Sequence, residues 1–268
     1  MSRAYSPAVA QLLSLGEAEL SDEWPNYLER DLGAEHIPDL IRMATDPALN
    51  GADAESLEVW APLHAWRALG QLRATEAIEP LLPLFEELED SDWAGEELPV
   101  VYGMIGAAAL PALTSYLADS THQSWPRITA AHAIEQIGSA DQASRPAAVE
   151  ALSQQLERFA ENDPELNGFL ISFLIDLHAV ETAPLIERAF AAERVELSIP
   201  GDWEDVQVSL GLLAARTSPP RTYSLFPQLT LPAAAPAPRA RSADRAAAKV
   251  KNKRKQAKAS RKKNRRGK

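Results

Sequence analysis

Five short segments of this chain repeat one another: LGAEHIPDL from Leu32, LRATEAIEPLL from Leu72, IGAAALPAL from Ile105, IGSADQASRPAAV from Ile137 and LHAVETAPLI from Leu177. The first and third share four of nine positions and exchange Leu for Ile at two more. Each segment starts on an apolar anchor, and the anchors stand 40, 33, 32 and 40 residues apart. Six to nine residues after each anchor comes a proline: Pro38, Pro80, Pro111, Pro146 and Pro184. Two residues further on comes an apolar or small residue: Leu40, Leu82, Leu113, Ala148 and Ile186. Before the anchors run patterns such as PLHAWRALGQL and PRITAAHAIEQI, with apolar residues at three- and four-residue spacing, the period of a helix with one buried face. Proline suits the first turn of a helix, where its missing N–H costs no bond. Each unit therefore reads as helix, short turn, proline-started helix. Two helices of this length cannot bury their own apolar faces, whereas stacked neighbours can.

The unit length and the "ALGQL" and "AIEQIG" ends of the first helices resemble HEAT-like repeats of the kind named after phycobilisome lyases, over roughly residues 24–213. The expected fold is all-α, an α-solenoid of about five HEAT-like helix pairs with a disordered basic C-terminal tail. The expected division is an N-terminal helix or cap over 1–23, the repeat domain with a terminal cap helix over 24–215, a Pro/Ala-rich linker over 216–240 and the basic tail over 241–268. Scarce glycine and the lack of long Val/Ile/Thr alternations agree with helices over sheets.

Tryptophan follows the same register. Trp60, Trp93 and Trp125 each stand 12 residues before an anchor, at the start of a first helix. Asp92 and Ser124 precede two of them as expected N-caps, and Glu23–Trp24 and Asp202–Trp203 echo the arrangement at the two ends. Two readings stand side by side: indoles packed across repeat junctions, or a row of indoles that grips a partner, as tryptophan does at interface hot spots.

Charge divides the chain. From Arg239 onward lie 15 of the 27 basic residues and one of the 38 acids, so the remainder holds 12 arginines against 37 acids and contains no lysine. Glu86, Glu87, Glu89, Asp90, Asp92, Glu96 and Glu97 crowd the second unit and the turn after it, which reads as a solvated face or as a docking surface for a basic protein partner. The tail residues Lys249, Lys251, Lys253, Arg254, Lys255, Lys258, Arg261, Lys262, Lys263, Arg265, Arg266 and Lys268 carry no aromatic neighbour, so base stacking is excluded. What remains is phosphate contact with RNA, a ribosome or DNA, non-specific and steeply weakened by salt. Alternatively the tail serves as internal counterion to the acidic body.

Catalytic motifs are few. The chain has no cysteine, which removes disulfides and thiolate chemistry. The five histidines, His36, His64, His122, His132 and His178, lack a repeated ligand partner, and DSDWAGEELPVV begins like a calcium loop but ends on Val101 where a bidentate Glu is needed. No metal, cofactor or catalytic residue is assigned. The N-terminus lacks a signal-peptide core and no apolar run spans a bilayer, so a cytoplasmic protein without membrane partner is expected, with oligomeric state open. A non-catalytic scaffold or adaptor is the leading functional expectation. The resemblance to phycobilisome-lyase-type repeats implies the alternative, an enzyme or enzyme subunit acting on a protein or pigment.

Overall fold

The structure, a computed structural model, describes residues 4–18 and 24–219. The chain divides into one unit over Met1–Tyr223 and a second over Ser224–Lys268, which lies wholly outside the described residues together with nearly all of the expected linker and tail. Among the described residues every regular element is helical.

The main helices are α1 (Ile37–Ala44), α2 (Ala61–Gln71), α3 (Asp92–Ile105), α4 (Leu110–Ala118), α5 (Ser124–Ala140), α6 (Arg145–Glu157), α7 (Pro164–Asp176), α8 (Ala183–Ala191) and α9 (Trp203–Ser209). The first helices of consecutive units contact one another in chain order, α2 to α3, α3 to α5 and α5 to α7. The second helices do the same, α4 to α6 and α6 to α8. Helix α5 also meets α6 of its own unit and α4 of the preceding one, so α5 is the hub of the array.

The anchors mark the turns between paired helices. Leu32, Ile105, Ile137 and Leu177 are buried, and Leu72 packs half-buried on the same core. After Leu72 the chain turns through Arg73 at φ 50°, with Arg73 N–H donating to Gly70 O and Ala74 N–H to Leu69 O. The same pair of bonds closes α7 around His178 at φ 54° and α8 around Glu193 at φ 55°. These are helix terminations with a left-handed residue past the cap, which satisfy carbonyls the helix leaves unpaired. A 3-10 turn then leads into most of the proline-started helices: Ala34–His36, Thr75–Ala77, Ala107–Ala109 and Val180–Thr182.

Pro38, Pro111, Pro146 and Pro184 stand in the first two positions of α1, α4, α6 and α8. Pro80 does not. It is the third residue of Ile78–Leu81, and the second helix of that unit is broken into this piece and Leu84–Glu87. The cause is a second proline, Pro83, whose ring and missing N–H stop helix propagation. The cap expectations also shift by one residue. Ser91, not Asp92, caps α3 by accepting from Ala94 N–H, while Gln123 occupies the N-cap of α5 without a side-chain bond and Ser124 is already helical. Asp202 does cap α9, in a reciprocal box with Asp205 at 3.0 and 3.1 Å.

Small residues set the distance between layers. Ala130, Ala131, Ala133 and Gly138 of α5 are all buried, between Ile128, Ile134 and Ile137. A Cβ at Gly138 would stand 2.8 Å from Ala148 Cβ of α6 and 2.8 Å from Leu177 Cδ2, so only glycine permits this approach. Each fully buried Leu or Ile contributes about 1.5–3 kcal/mol, and Leu40, Leu69, Leu98, Leu113, Ile134, Leu170 and Ile186 are all at 0% exposure.

The N-terminal segment is tied down by polar bonds. Pro7–Ala10 and the 3-10 turn Gln11–Ser14 bury Val9 and Leu12. His64 of α2 bridges Tyr27 Oη at 2.6 Å and Gly16 O at 2.9 Å. Among the described residues no single helix is long and apolar enough to cross a membrane.

Candidate functional site

Beyond α2, which is buried from Ala61 to Gly70, the first-helix layer keeps one face accessible. Its accessible positions recur at helical steps: Trp93, Glu96, Val100 and Met104 on α3; Trp125, Thr129, His132, Gln136 and Ser139 on α5; Phe169, Ser172 and Asp176 on α7. None of these is arginine or lysine, one is histidine, three are Trp or Phe and two are acidic. The second-helix layer contrasts, with Glu150, Gln154, Glu157, Arg158, Glu187 and Arg188 exposed on α6, α8 and the residue after α6.

The tryptophans divide. Trp60 and Trp93 meet edge to face, ring centroids 5.0 Å apart at 89°, and both pack half-buried on the core, so they join two repeats. Trp125 is 48% exposed and meets Phe169 of α7 at 5.5 Å. Phe169 leads to Phe173 at 6.1 Å, and Phe173 stacks flat on His132 at 5.2 Å and 2°. An aromatic ladder thus runs along the seam between α5 and α7, with Trp125 its open end. Sequence register places all three indoles alike. What separates them is the facing residue, another indole for Trp60 and Trp93 and a half-buried Phe for Trp125.

Glu135 lies at the floor of the same seam, 4% exposed. Its carboxylate accepts from Ser139 Oγ at 2.5 Å and Gln136 Nε2 at 2.7 Å, and His132 Nε2 stands 4.0 Å away. Burial pushes its carboxyl above the usual carboxylate range against those two hydrogen bonds, and the charge of Asp176 adds to the rise. No arginine or lysine among the described residues forms an ion pair with it. The hydrogen bonds from Ser139 and Gln136 offset part of the cost of burying this carboxylate. Nothing in the sequence marks Glu135 out from the other acids. Only its position three residues after the accessible His132 and four before Ser139 locates it.

The acidic cluster also divides. Glu86, Glu87, Glu89, Asp90 and Glu96 are exposed. His122 reaches Glu86 at 3.2 Å while its ring stacks on Tyr116 at 3.9 Å. The side chain of Asp92 lies outside the described residues. Glu97 is not part of this surface. It is buried on α3 and pairs twice with Arg67 of α2, at 2.9 and 2.6 Å, while the guanidinium also lies 5.0 Å over the ring of Trp24. The position of Glu97 on the inner side of α3, one residue past Glu96, explains the difference. In chain order Glu86, Glu87, Glu89 and Asp90 directly precede α3, and Glu96 lies on it.

The candidate tail residues from Lys249 to Lys268 lie outside the described residues. A groove of about 560 Å³ near Trp203 and Phe190, rimmed by Glu193 and Glu204, opens at the C-terminal end of the array. The residues of DSDWAGEELPVV form the turn and first part of α3 rather than a cation loop. Among the described residues no group of three or more His, Asp or Glu side chains is placed to hold a metal ion.

A family model described as PBS lyase HEAT-like repeat matches residues 65–87, that is, the latter part of α2, the turn after Leu72 and the broken second helix. Comparison with curated proteins finds no significant match. Comparison with solved structures likewise finds none.

Proposed function

We propose that this chain is a non-catalytic helical-repeat scaffold, an α-solenoid of about five HEAT-like pairs. Its first-helix face and bordering acids hold a protein partner, and its basic tail touches nucleic acid without sequence preference. The observation that carries this reading is Trp125. An indole left 48% exposed beside Phe169, on a face whose accessible positions include no arginine or lysine, supports an interface core there. The HEAT-like match over residues 65–87 supports a repeat architecture, whose stacked units present long faces suited to partners. Isolated exposed apolar residues are ordinary on protein surfaces. Here the ladder continues inward through Phe169 and Phe173, which gives an entering side chain a rigid wall.

The test is affinity capture from the source cells with nuclease present. Trp125→Ala is expected to remove the captured partner, whereas Gln154→Ala on the second-helix layer retains it. Equal capture by both variants overturns the reading.

A further inference from the structure

The groove beside Trp203 lies where no further unit stacks on the array, since α9 is the last helix among the described residues. Repeat arrays need a cover over such an end. The apolar wall is built by Phe190 near the end of α8, Val195 and Leu197 in the connection, and Trp203 at the start of α9. The rings of Phe190 and Trp203 stand 5.9 Å apart, tilted by 39°, and both stay half-buried. A cavity of about 560 Å³ has room for an aromatic side chain and a few residues of backbone. Glu193 stands exposed on the rim, and no arginine or lysine is among the described lining residues.

After α9 the chain returns to this groove. Arg216 pairs with Asp202 at 2.8 Å and with Asp205 at 2.5 Å, and Thr217 Oγ1 donates to Glu204 at 2.6 Å. Ser218 Oγ donates to the same carboxylate, and Ser218 itself lines the groove. The residues after Ser218 therefore start at the groove's edge. They are Pro219, Pro220, Arg221, Thr222 and Tyr223, and the compact unit that holds the groove runs to Tyr223.

We propose that residues 220–223 fold back into this groove as a strap over the end of the array, with the Tyr223 ring against Phe190 and Trp203 and the Arg221 guanidinium beside Glu193. The reach suffices, because five residues from Ser218 to Tyr223 span up to about 17 Å when extended. Chemistry selects the same residues. A tyrosine ring adds an aromatic contact to two rings already tilted toward each other, while its hydroxyl stays at the wet rim. The rim is acidic, and Arg221 is the one basic residue between Arg216 and Arg239. Tethering makes the contact intramolecular, so a modest affinity is enough to keep the groove filled. The strap goes beyond the partner reading and holds whether or not the first-helix face has a partner.

The test uses the full chain with 5-fluorotryptophan in place of tryptophan, read by fluorine NMR, with the Trp203 resonance assigned by Trp203→Phe. Tyr223→Ala is expected to move that resonance, whereas Phe226→Ala leaves it in place. The resonances of the other five indoles report that the fold is kept in both variants. Cleavage by trypsin after Arg221 is expected to be about tenfold faster in Tyr223→Ala than in the parent, the scale set by one buried aromatic side chain. An unmoved Trp203 resonance, or one that Phe226→Ala moves as far, overturns the proposal, as do equal cleavage rates. So does a Trp203 shift that disappears on dilution, which would place a second copy of the chain in the groove.

Discussion

Replacing Glu97 by alanine is the most demanding single test of how this array is held together. Arg67 is 0% exposed, and Glu97 receives its Nε and Nη2 at 2.9 and 2.6 Å across the junction of α2 and α3. Burial alone would lower the Arg67 pKa, but the hydrogen bonds and charge of Glu97 hold it above the ordinary value. Arginine stays protonated in proteins even when buried, so the guanidinium remains charged when Glu97 is removed, in a place where water does not reach it. Loss of one member of such a pair costs about 3–5 kcal/mol, because an uncompensated buried charge remains. Loss of both is different. Arg67→Met combined with Glu97→Leu fills a similar volume with apolar groups, removes both desolvation costs, and is expected within about 1 kcal/mol of the parent or above it. The assay is urea unfolding followed by far-ultraviolet circular dichroism on the parent, both single variants and the double variant. The refuting result is a Glu97→Ala cost below about 1 kcal/mol, or a double variant as unstable as the worse single one. Either would mean that the pair is solvated in solution and that α2 and α3 are joined by apolar packing alone.

Three further outcomes are expected. Burial holds the His64 imidazole below its ordinary pKa, so His64 is neutral in the fold and its bonds to Tyr27 and Gly16 stabilise above about pH 6.5, the unfolded value. That stability is lost as pH falls through the lower folded value; melting temperature against pH measures it, and His64→Gln should flatten the curve in this window. Gly138→Ala should cost about 1–3 kcal/mol by overpacking in the same urea assay, since the new methyl meets Ala148 and Leu177 at 2.8 Å. A result within about 0.5 kcal/mol, the scatter of surface substitutions, would show that α5 and α6 are free to move apart. For the tail, the full chain should retain RNA or DNA that residues 1–238 do not, with binding that falls steeply as salt rises. Equal retention by the shorter chain removes the tail from the account.

Helix placement was legible because it rests on local rules. Apolar anchors at a fixed period, proline just inside the second helices and Asp202 before α9 each act within a few residues, and the structure places them accordingly. Departures came where two local rules competed or where a distant residue decided. Pro80 obeys the repeat pattern, but Pro83 three residues on breaks the helix. Pro99 breaks the usual rule inside α3 without ending it, because Leu98, Val101 and Tyr102 beside it are all fully buried and outweigh one lost bond. Side-chain roles were less legible. Glu96 and Glu97 are neighbours in sequence with opposite environments, a step of about 100° around the helix whose outcome only the facing Arg67 reveals. Trp60, Trp93 and Trp125 share one register, and their different exposure depends on Phe169, 44 residues beyond the last of them. The burial of Glu135, one residue before the accessible Gln136, likewise has no local signal in the sequence.

The central claim, that the accessible face of the first helices is where a partner sits, is tested most directly by a photo-crosslinking residue at Ser172. This position lies on α7 between Phe169 and Asp176, three residues after Phe169, and is partly accessible. The same residue at Gln154, on the second-helix layer, serves as comparison. The account predicts one discrete adduct from position 172 in the source cells, lost on Trp125→Ala, and no such adduct from position 154. A discrete adduct from 154 alone, or one from 172 that persists without the indole, contradicts it.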